Sequence, residues 1–409
     1  MARKMKNSGI EWIGEIPEGW EVVQLKRFAE VHNGREIDVE VDSTDSSAVG
    51  VYGSGGVFKY TNRAQYSGKA VLFGRKGTLG KPLYVEGQLW AVDTMYFLTY
   101  SNRLLEKFSY YQFLAFNWAP YITHTAIPSV VASEIVACYF PIPPLEEQAK
   151  IVDYLDNGCA SLDTILDKTR SSIEEYKKLK QAVITQAVTK GVRGKREIKD
   201  SGVEWIGAIP KDWEIKRLKS FCTIVDCKNR TPDVFPDGKY TVVRTTCIKD
   251  CSFSYEGSYQ TDTTNFKAWT LKGQPHKGDI FFTREAPVGE ACLVPNADNL
   301  CMGQRVMFFR PEDNSDARYI MYSIYGPLVR EYIASKNSGS TVGHLKLGQV
   351  ACIPIFYCPP LEQKEIADYL DAKCAEIDGL IAKKEQLAKE LESYKKSLIY
   401  EVVTGKREV

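Results

Sequence analysis

Apolar residues recur at alternating steps of three and four over a long segment in the middle of the chain. The positions are Val152, Leu155, Cys159, Leu162, Leu166, Thr169, Ile173, Tyr176, Lys180, Val183 and Ala187. Nine of these eleven residues are apolar or aromatic, a pattern typical of a coiled-coil seam. Glu146 and Glu147 follow a proline pair, and Gly191 ends the segment. These start and stop signals predict one long helix.

The same seam recurs near the end of the chain, 215 positions later. It consists of Ala367, Leu370, Cys374, Ile377, Ile381, Lys384, Ala388, Leu391, Lys395, Leu398 and Val402. The polar interruptions coincide, since Thr169 corresponds to Lys384 and Lys180 to Lys395, and we expect them to set the register or to face a partner. We predict that the two helices pair as an antiparallel coiled coil through Val152, Leu155, Leu162, Leu166, Ile173, Leu370, Ile377, Ile381, Leu391 and Leu398.

A second duplication marks the beginning of each half. The segments SGIEWIGEIPEGWEVVQLKRF (8–28) and SGVEWIGAIPKDWEIKRLKSF (201–221) agree at thirteen of twenty-one positions. We predict that the shared tryptophans, Trp12 with Trp205 and Trp20 with Trp213, dock each segment onto its domain. Joining the end of the chain, GKREV, to KMKNSG near its beginning recreates the central linker GKREIKDSG. The sequence therefore predicts a pseudo-twofold, circular organisation.

Short β-rich runs separated by glycine turns lie between each start segment and each long helix. They include 70–85 and 90–100 in the first half, and 240–248, 279–294 and 302–311 in the second, with helices predicted at 104–117 and 317–335. The predicted fold class is α+β, with two similar mixed domains separated by two long paired helices. We place the first domain at 1–142, the central helix at 143–195, the second domain at 196–358 and the C-terminal helix at 359–409.

Composition excludes few functions by itself. The chain is 44% hydrophobic and 26% charged, as in soluble globular proteins, and it contains no apolar run long enough for a membrane span and no signal-peptide core. We expect a cytoplasmic protein whose eleven scattered cysteines are reduced packing residues. A net charge of +1 carries no overall signature of a nucleic-acid partner. Any such function must rest on local features.

Catalytic motifs are scarce. The sequence contains no GxxxxGK[ST] phosphate loop, no dinucleotide fingerprint, and no CxxC or HExxH spacing. Asp233, Asp237 and Lys239 superficially match the metal-binding pattern of nucleases, although their PDVFPDGK context is rich in turn formers. We therefore predict no catalytic residue and no metal site, and we keep a stand-alone metal-dependent nuclease built on these three residues as the alternative function.

Local cation clusters suit a nucleic-acid surface. Residues 59–81 contain six basic side chains and no acidic one, and cations bind phosphates while Asn and Arg can read base edges. A merely solvated basic surface is the alternative, and Arg284 and Arg305 could instead be buried partners of Asp279 or Glu290. The candidate DNA-binding residues are Lys59, Asn62, Arg63, Lys69, Arg75, Lys76, Lys81, Arg230, Arg244, Lys249, Arg284, Arg305, His344 and Lys346.

Several motifs together resemble the specificity subunit of type I restriction-modification systems. They are SGIEWIGEIPEGWEV, the helix start IPIPPLEEQAKIVDYLD with its partial repeat PPLEQKEIADYLD, and the ending VVTGK. The resemblance covers essentially the whole chain. It implies that each half is a target-recognition domain reading one half of a bipartite site in double-stranded DNA, with the paired helices as spacer. One departure is that the second helix start has one glutamate fewer, which bears on whether partners dock equally at the two ends.

The resemblance also implies partners. Two modification (methyltransferase) subunits and two restriction subunits would assemble on this chain, which would itself be no enzyme. S-adenosylmethionine, ATP and magnesium would belong to those partners, and this chain would bind no cofactor. A helical scaffold that binds only proteins is a further alternative, but it leaves two elaborated β-rich domains on a common plan unexplained.

Overall fold

The computed structural model describes residues 3–123, 125–228, 230–337 and 343–409. The chain divides into two compact units, of which unit 1 comprises Met1–Ser171 with Lys384–Val409, and unit 2 comprises Ser172–Lys383. Among the described residues, no helix combines the length and the apolar character that crossing a membrane requires.

Unit 1 is built around one mixed six-stranded sheet. The strands of unit 1 are β1 (Met5–Asn7), β2 (Glu15–Pro17), β3 (Glu21–Gln24), β4 (Ala29–Asn33), β5 (Val49–Gly53), β6 (Gly56–Thr61), β7 (Tyr66–Gly74), β8 (Leu83–Ala91), β9 (Met95–Tyr100) and β10 (Tyr139–Ile142). Its helices are α1 (Glu106–Ala115), α2 (Ala132–Ala137) and the first part of α3 (Leu145–Lys190). The sheet order is β4-β9-β7-β8-β5-β6, with β5 and β8 parallel and the other neighbours antiparallel.

Unit 2 repeats this plan with more and shorter strands. They are β11 (Ile198–Asp200), β12 (Ala208–Pro210), β13 (Glu214–Arg217), β14 (Cys222–Val225), β15 (Tyr240–Val243), β16 (Ile248–Lys249), β17 (Ser252–Phe253), β18 (Tyr259–Thr261), β19 (Ile280–Thr283), β20 (Ala291–Leu293), β21 (Leu300–Met302), β22 (Val306–Pro311) and β23 (Pro354–Tyr357). The helices are α4 (Thr263–Trp269), α5 (Ala317–Ile324), α6 (Pro327–Asn337), α7 (Leu347–Ala351) and α8 (Pro360–Val403), the last of which ends in unit 1.

The strand orders of the two units correspond. The sheet β14-β22-β19-β20 of unit 2 matches β4-β9-β7-β8, and β18-β15-β21 matches β6-β5-β8. The counterpart of β8 is therefore divided into β20 and β21, and residues 294–299 lie between them. The prediction of an α+β fold with two similar mixed domains is confirmed.

One predicted helix is wrong in detail. The segment 317–335 forms two helices, α5 and α6, rather than one. The amide of Gly326 bonds to the carbonyl of Ser323 at 2.9 Å, and Pro327 has no amide hydrogen to continue the helical ladder. The break was readable from the Gly-Pro pair.

The two long helices pair antiparallel within each unit. In unit 1, Asp163 and Arg170 of α3 bond to Lys395 and Glu392 of α8. In unit 2, Lys180 of α3 bonds to Asp378 of α8, so that later residues of one helix meet earlier residues of the other. Every seam position of both helices is buried or half-buried. The predicted pairing residues are buried at Leu155, Leu162, Leu166, Ile173, Leu370, Ile377 and Leu398, and half-buried at Val152, Ile381 and Leu391.

Each mixed domain packs its core onto both helices. The core of unit 1 includes Leu155 of α3 and Val402 of α8, and the core of unit 2 includes Leu370 of α8 and Ala187 of α3. These residues are related by the same offset of 215 that relates the two seams. The sheet of each domain is therefore anchored to the helix pair by matching apolar contacts.

Candidate nucleic-acid interface

A partly buried ion pair attaches the start segment of unit 1 to the beginning of α3. The indole Nε1 of Trp20 donates to Glu147 Oε2 at 3.1 Å, and the Arg3 guanidinium lies 2.6 Å from the same carboxylate. Arg3 also covers the Trp20 ring, 5.6 Å from its centroid. Trp20 is 1% exposed, so the docking predicted for this tryptophan is confirmed.

Unit 2 contains the equivalent arginine–glutamate pair under a buried tryptophan at the beginning of α8, although Trp213 Nε1, unlike Trp20 Nε1, donates no hydrogen bond to the described residues. Glu362 is fully buried and accepts a hydrogen bond of 2.5 Å from Arg196 Nη1, while Arg196 lies 5.3 Å from the centroid of the buried Trp213 ring. Trp205 departs from the prediction, because 61% of it is exposed, whereas its counterpart Trp12 is half-buried.

The structure also locates the missing glutamate of the second helix start. Gln148 and Gln363 play the same role, each donating to the carbonyl five residues before it at 2.9 Å. Glu147 therefore corresponds to Glu362, and the glutamate without a counterpart is Glu146, whose place is taken by Leu361. Leu361 is 66% exposed. The difference between the two helix starts thus lies on the surface and leaves both ion pairs intact.

Three loops meet at one edge of the sheet in unit 1, which we call the loop edge. They comprise residues 75–82 after β7, 92–94 before β9 and 125–131 before α2. The amide of Arg75 bonds to Thr94 O at 2.7 Å, and the amide of Val130 bonds to Arg75 O at 3.0 Å. Lys76 lies opposite Ser129 in an isolated β-bridge. These backbone bonds hold the three loops in one register.

The loop edge of unit 2 has the same backbone bonds. It comprises residues 284–290 after β19, 303–305 before β22, and 343–346. The amide of Arg284 bonds to Arg305 O at 3.0 Å, and the amide of Leu345 bonds to Arg284 O at 2.9 Å. Glu285 lies opposite His344 in an isolated β-bridge.

Four positions of the two loop edges are consequently equivalent, although their side chains differ. In the order unit 1 and then unit 2, they are Arg75 and Arg284, Lys76 and Glu285, Thr94 and Arg305, and Ser129 and His344. Only the first of these pairs keeps the same residue type. The two loop edges therefore share their backbone hydrogen bonds but carry different side chains.

Glu285 is the centre of a charged cluster in unit 2. Its Oε2 accepts from Arg305 Nε at 2.8 Å, and its Oε1 lies 2.7 Å from His344 Nδ1. The structure thus brings together Arg284, Arg305 and His344, which the sequence proposed separately. Glu285 itself was missed, because an acidic residue is not a conventional signal of a DNA surface.

Arg284 and Arg305 differ in exposure. Arg284 is 9% exposed in its side chain, and its Nη1 donates to both oxygens of Asp226 at 3.0 and 3.2 Å. The interpretation of Arg284 as a buried partner therefore holds, but the carboxylate is Asp226. The two carboxylates named from sequence are paired differently, Asp279 with Arg310 and Glu290 with Arg330. The Arg305 side chain is 49% exposed.

The basic stretch 59–81 of unit 1 is spread along the sheet. Asn62 and Arg63 lie in the loop before β7, and Lys76 follows its end, so that the nine residues of β7 separate them by about 30 Å. The exposed Lys59 is paired with Glu40 at 2.7 Å, and Lys69 lies 3.9 Å from Glu86. Arg75 is half-buried over the Tyr96 ring, and Lys81 is exposed on the loop edge.

The remaining candidates of unit 2 lie on exposed loops. Arg244 follows β15, which runs parallel to β21, and Gly303 after β21 bonds to Val243 O at 2.8 Å. Arg244 is therefore close to the loop edge, and Lys346, two residues after His344, lies on it. Arg230 and Lys249 are exposed elsewhere in the unit, before β15 and in the β16–β17 hairpin.

A family comparison identifies the architecture. The sequence model described as "Type I restriction modification DNA specificity domain" matches residues 17–175 and again residues 210–392. The chain belongs to this family. The two matches cover most of the sequence and correspond to the two duplicated domains with the first part of each long helix.

Two relatives match this chain along nearly their whole length. The putative type I restriction enzyme MjaX specificity subunit of Methanocaldococcus jannaschii is 24% identical over 430 residues, which cover 96% of this chain and 95% of that protein. The MjaVIII specificity subunit of the same organism is 25% identical, covering 96% and 93%. A chain solved in work on complex assembly and conformational transition of the type I R-M system has a TM-score of 0.69 at 16% identity, covering 96% of this chain and 99% of that one. That structure shows that the fold is shared.

The nuclease alternative gains no support from the geometry. Asp233, Asp237 and Lys239 are exposed on the loop before β15, and Asp237 occupies a turn in which the amide of Gly238 bonds to Phe235 O at 2.8 Å. In the described part of the chain, no three His, Cys, Asp or Glu side chains are grouped to hold a metal ion. The turn-forming residues of PDVFPDGK predicted a loop, and the structure has a loop there.

Proposed function

We propose that this chain is the DNA-specificity subunit of a type I restriction-modification complex and that each unit reads one half of a bipartite target. One observation carries the proposal. The specificity domain matches twice, and the two copies present equivalent backbone loops that carry different side chains. A protein built in this way is suited to reading two different short sequences.

The contacts with DNA divide into two kinds. Exposed cations on or beside the loop edges, among them Lys76, Lys81, Arg244 and Lys346, are suited to phosphate contacts that supply affinity and register. Other side chains on the loop edges are suited to reading base edges. We assign the exposed candidates outside the loop edges to phosphate contacts as well, but not Arg284, because its guanidinium is buried against Asp226.

The partners supply the chemistry. We propose that two modification subunits and two restriction subunits assemble with this chain in the cytoplasm, and that S-adenosylmethionine, ATP and magnesium bind to those subunits. The chain itself acts without catalysis. Its paired helices support this role, because both of them contribute apolar residues to the core of each mixed domain.

A domain exchange tests the proposal. Residues 196–358 are replaced by the corresponding segment of a relative, and methylated bases are mapped by single-molecule sequencing in cells that also express the partner subunits. We expect one half of the methylated sequence to change and the other half to persist. Exchange of residues 1–142 is the matched control and should change the opposite half. A methylated sequence that stays the same after both exchanges would contradict the proposal.

A further inference from the structure

Arg305 holds an unusual backbone conformation at the loop edge of unit 2. Its φ is +80°, in the left-handed region that side-chain-bearing residues rarely adopt. Thr94, at the equivalent position of unit 1, is not among the described non-glycine residues with positive φ. Backbone strain of this kind is concentrated at functional sites, where the surrounding structure enforces it. The strained backbone conformation of Arg305 therefore indicates a functional role for this residue.

The environment of Arg305 orients its guanidinium. Glu285 accepts from Nε at 2.8 Å and is itself only 17% exposed, whereas the Arg305 side chain is 49% exposed. His344 Nδ1 lies 2.7 Å from the other oxygen of Glu285. The carboxylate is thus fixed from two sides and holds one edge of the guanidinium. Glu285 contacts Arg305 through Nε, and the rest of the half-exposed side chain carries the two Nη groups of the planar fork.

We propose that Arg305 contacts a guanine in the half-site read by unit 2, with Glu285 and His344 as the residues that position it. The proposal rests on the proposed function of the chain and adds the residue and the base. Guanine is the base that presents two acceptors, O6 and N7, on its major-groove edge, and the donor fork of arginine matches both of them. Adenine, thymine and cytosine each present a donor or a single acceptor at these places.

Charge distinguishes this role from a phosphate contact. A cation that binds phosphate gains affinity from an uncompensated positive charge, but the charge of Arg305 is already balanced by Glu285. Neutralising the charge of Arg305 costs little binding free energy when the arginine reads a base, because recognition then depends on the hydrogen-bond geometry of the oriented guanidinium. Lys76 of unit 1 occupies the position of Glu285 and is exposed. The two loop edges therefore suit different half-sites.

Three variants of the full chain test the proposal in the assembled complex. Arg305→Lys keeps the charge and removes the fork. Arg305→Gly removes the side chain but suits the left-handed backbone, so that folding is preserved. Glu285→Gln keeps the shape of the positioning residue and removes its charge. The matched control is Asp313→Asn, which removes one exposed charge in the loop at the other end of β22.

Methylated bases are mapped in cells carrying each variant, and methylation rates are measured on oligonucleotide targets with each base substituted in turn. We expect Arg305→Lys and Arg305→Gly to reduce methylation of the guanine-containing target about 10–100-fold or to lose discrimination at that one position. Glu285→Gln should weaken discrimination at the same base position by a smaller factor, and Asp313→Asn should change discrimination at no base position. Melting temperatures of the purified variants should remain close to that of the parent.

Two results would overturn the proposal. One is an unchanged target and rate for both Arg305 variants, and the other is an equal loss of methylation for every base substitution, which would mark a phosphate contact. If exchange of residues 196–358 changes a half-site while the Arg305 variants do not, the inference about Arg305 fails and the proposed function stands. If the domain exchange also leaves the methylated sequence unchanged, the proposed function fails with it.

Discussion

The ammonium of Lys395 lies 2.6 Å from the carboxylate of Asp163, across the helix pair of unit 1. In unit 2, Lys180 lies 2.7 Å from Asp378, and both residues are displaced from the first pair by the repeat offset of 215. Lys180 and Lys395, which interrupt the apolar seams, are therefore half-buried cations with carboxylate partners on the opposite helix. Burial alone would lower the pKa of Lys180, but the Asp378 carboxylate outweighs it and raises that pKa.

Removal of the carboxylate should cost more than removal of the lysine. We expect Asp378→Ala to destabilise the chain by about 1 kcal/mol, because it leaves the half-buried Lys180 without its partner, and the exposure of Asp378 limits the effect. Lys180→Leu should be neutral or stabilising, since a leucine continues the apolar seam. Thermal denaturation at neutral pH measures both. Lys177→Ala, in the exposed pair with Glu174, is the control and should change stability by less than about 0.5 kcal/mol.

The same cross-helix pairs should make assembly specific. If the interrupting lysines set the register, the double variant Lys180→Leu with Lys395→Leu should keep its helices but assemble less uniformly with modification subunits. Size-exclusion chromatography with light scattering measures this outcome. A single, parent-like complex would show that the lysines do not set the register.

The buried ion pair of unit 2 should be more sensitive than its counterpart in unit 1. Glu362→Gln should destabilise the chain by about 3 kcal/mol, because Glu362 is fully buried and its loss leaves Arg196 with only the exposed Asp212, at 3.8 Å, to balance its charge. Glu147→Gln should cost only about 1 kcal/mol, because the glutamine oxygen can still accept from Trp20 and the site is partly exposed. Equal losses in denaturant titrations of the two variants would contradict this assignment.

Gly191 should tolerate no side chain at the end of α3. Its φ is +74°, and a Cβ atom would lie 2.9 Å from Glu362 Oε1. Gly202 has the same φ, but a Cβ atom there would have no neighbour within 4 Å. Gly202→Ala should therefore destabilise the chain only through its left-handed backbone conformation, by about 1–2 kcal/mol. Gly191→Ala should therefore melt at a lower temperature than Gly202→Ala. Identical melting temperatures would show that the ion pair accommodates the methyl group.

Binding of DNA by the isolated chain should be weak and salt-sensitive. The net charge is only +1, and several exposed cations of unit 1 are already paired, so few phosphates are neutralised without the partner subunits. Fluorescence anisotropy with a labelled target duplex, at increasing salt and with and without modification subunits, measures this dependence. Tight, sequence-specific binding by the isolated chain at physiological salt would contradict the prediction.

Sequence repeats determined most of the architecture. The 3-4 spacing of apolar residues specifies a helix with one buried stripe regardless of what covers it, and the recurrence of that stripe at a constant offset identified the partner helix. The duplicated start segments likewise predicted two domains on one plan. Such features are local or periodic, and physical rules connect them to structure without knowledge of distant contacts.

The site depended on tertiary structure. Glu285, Arg305 and His344 are separated by 20 and 39 positions in the sequence, and only the hydrogen bonds among three loops place them together. Arg284 and Arg305 look alike as cations in a β-rich run, yet one is buried against Asp226 and the other is half exposed, because burial depends on which strands become neighbours. The sequence by itself determined the repeated domains and the paired helices, whereas the chemistry of each loop edge was decided by contacts between residues far apart in the chain.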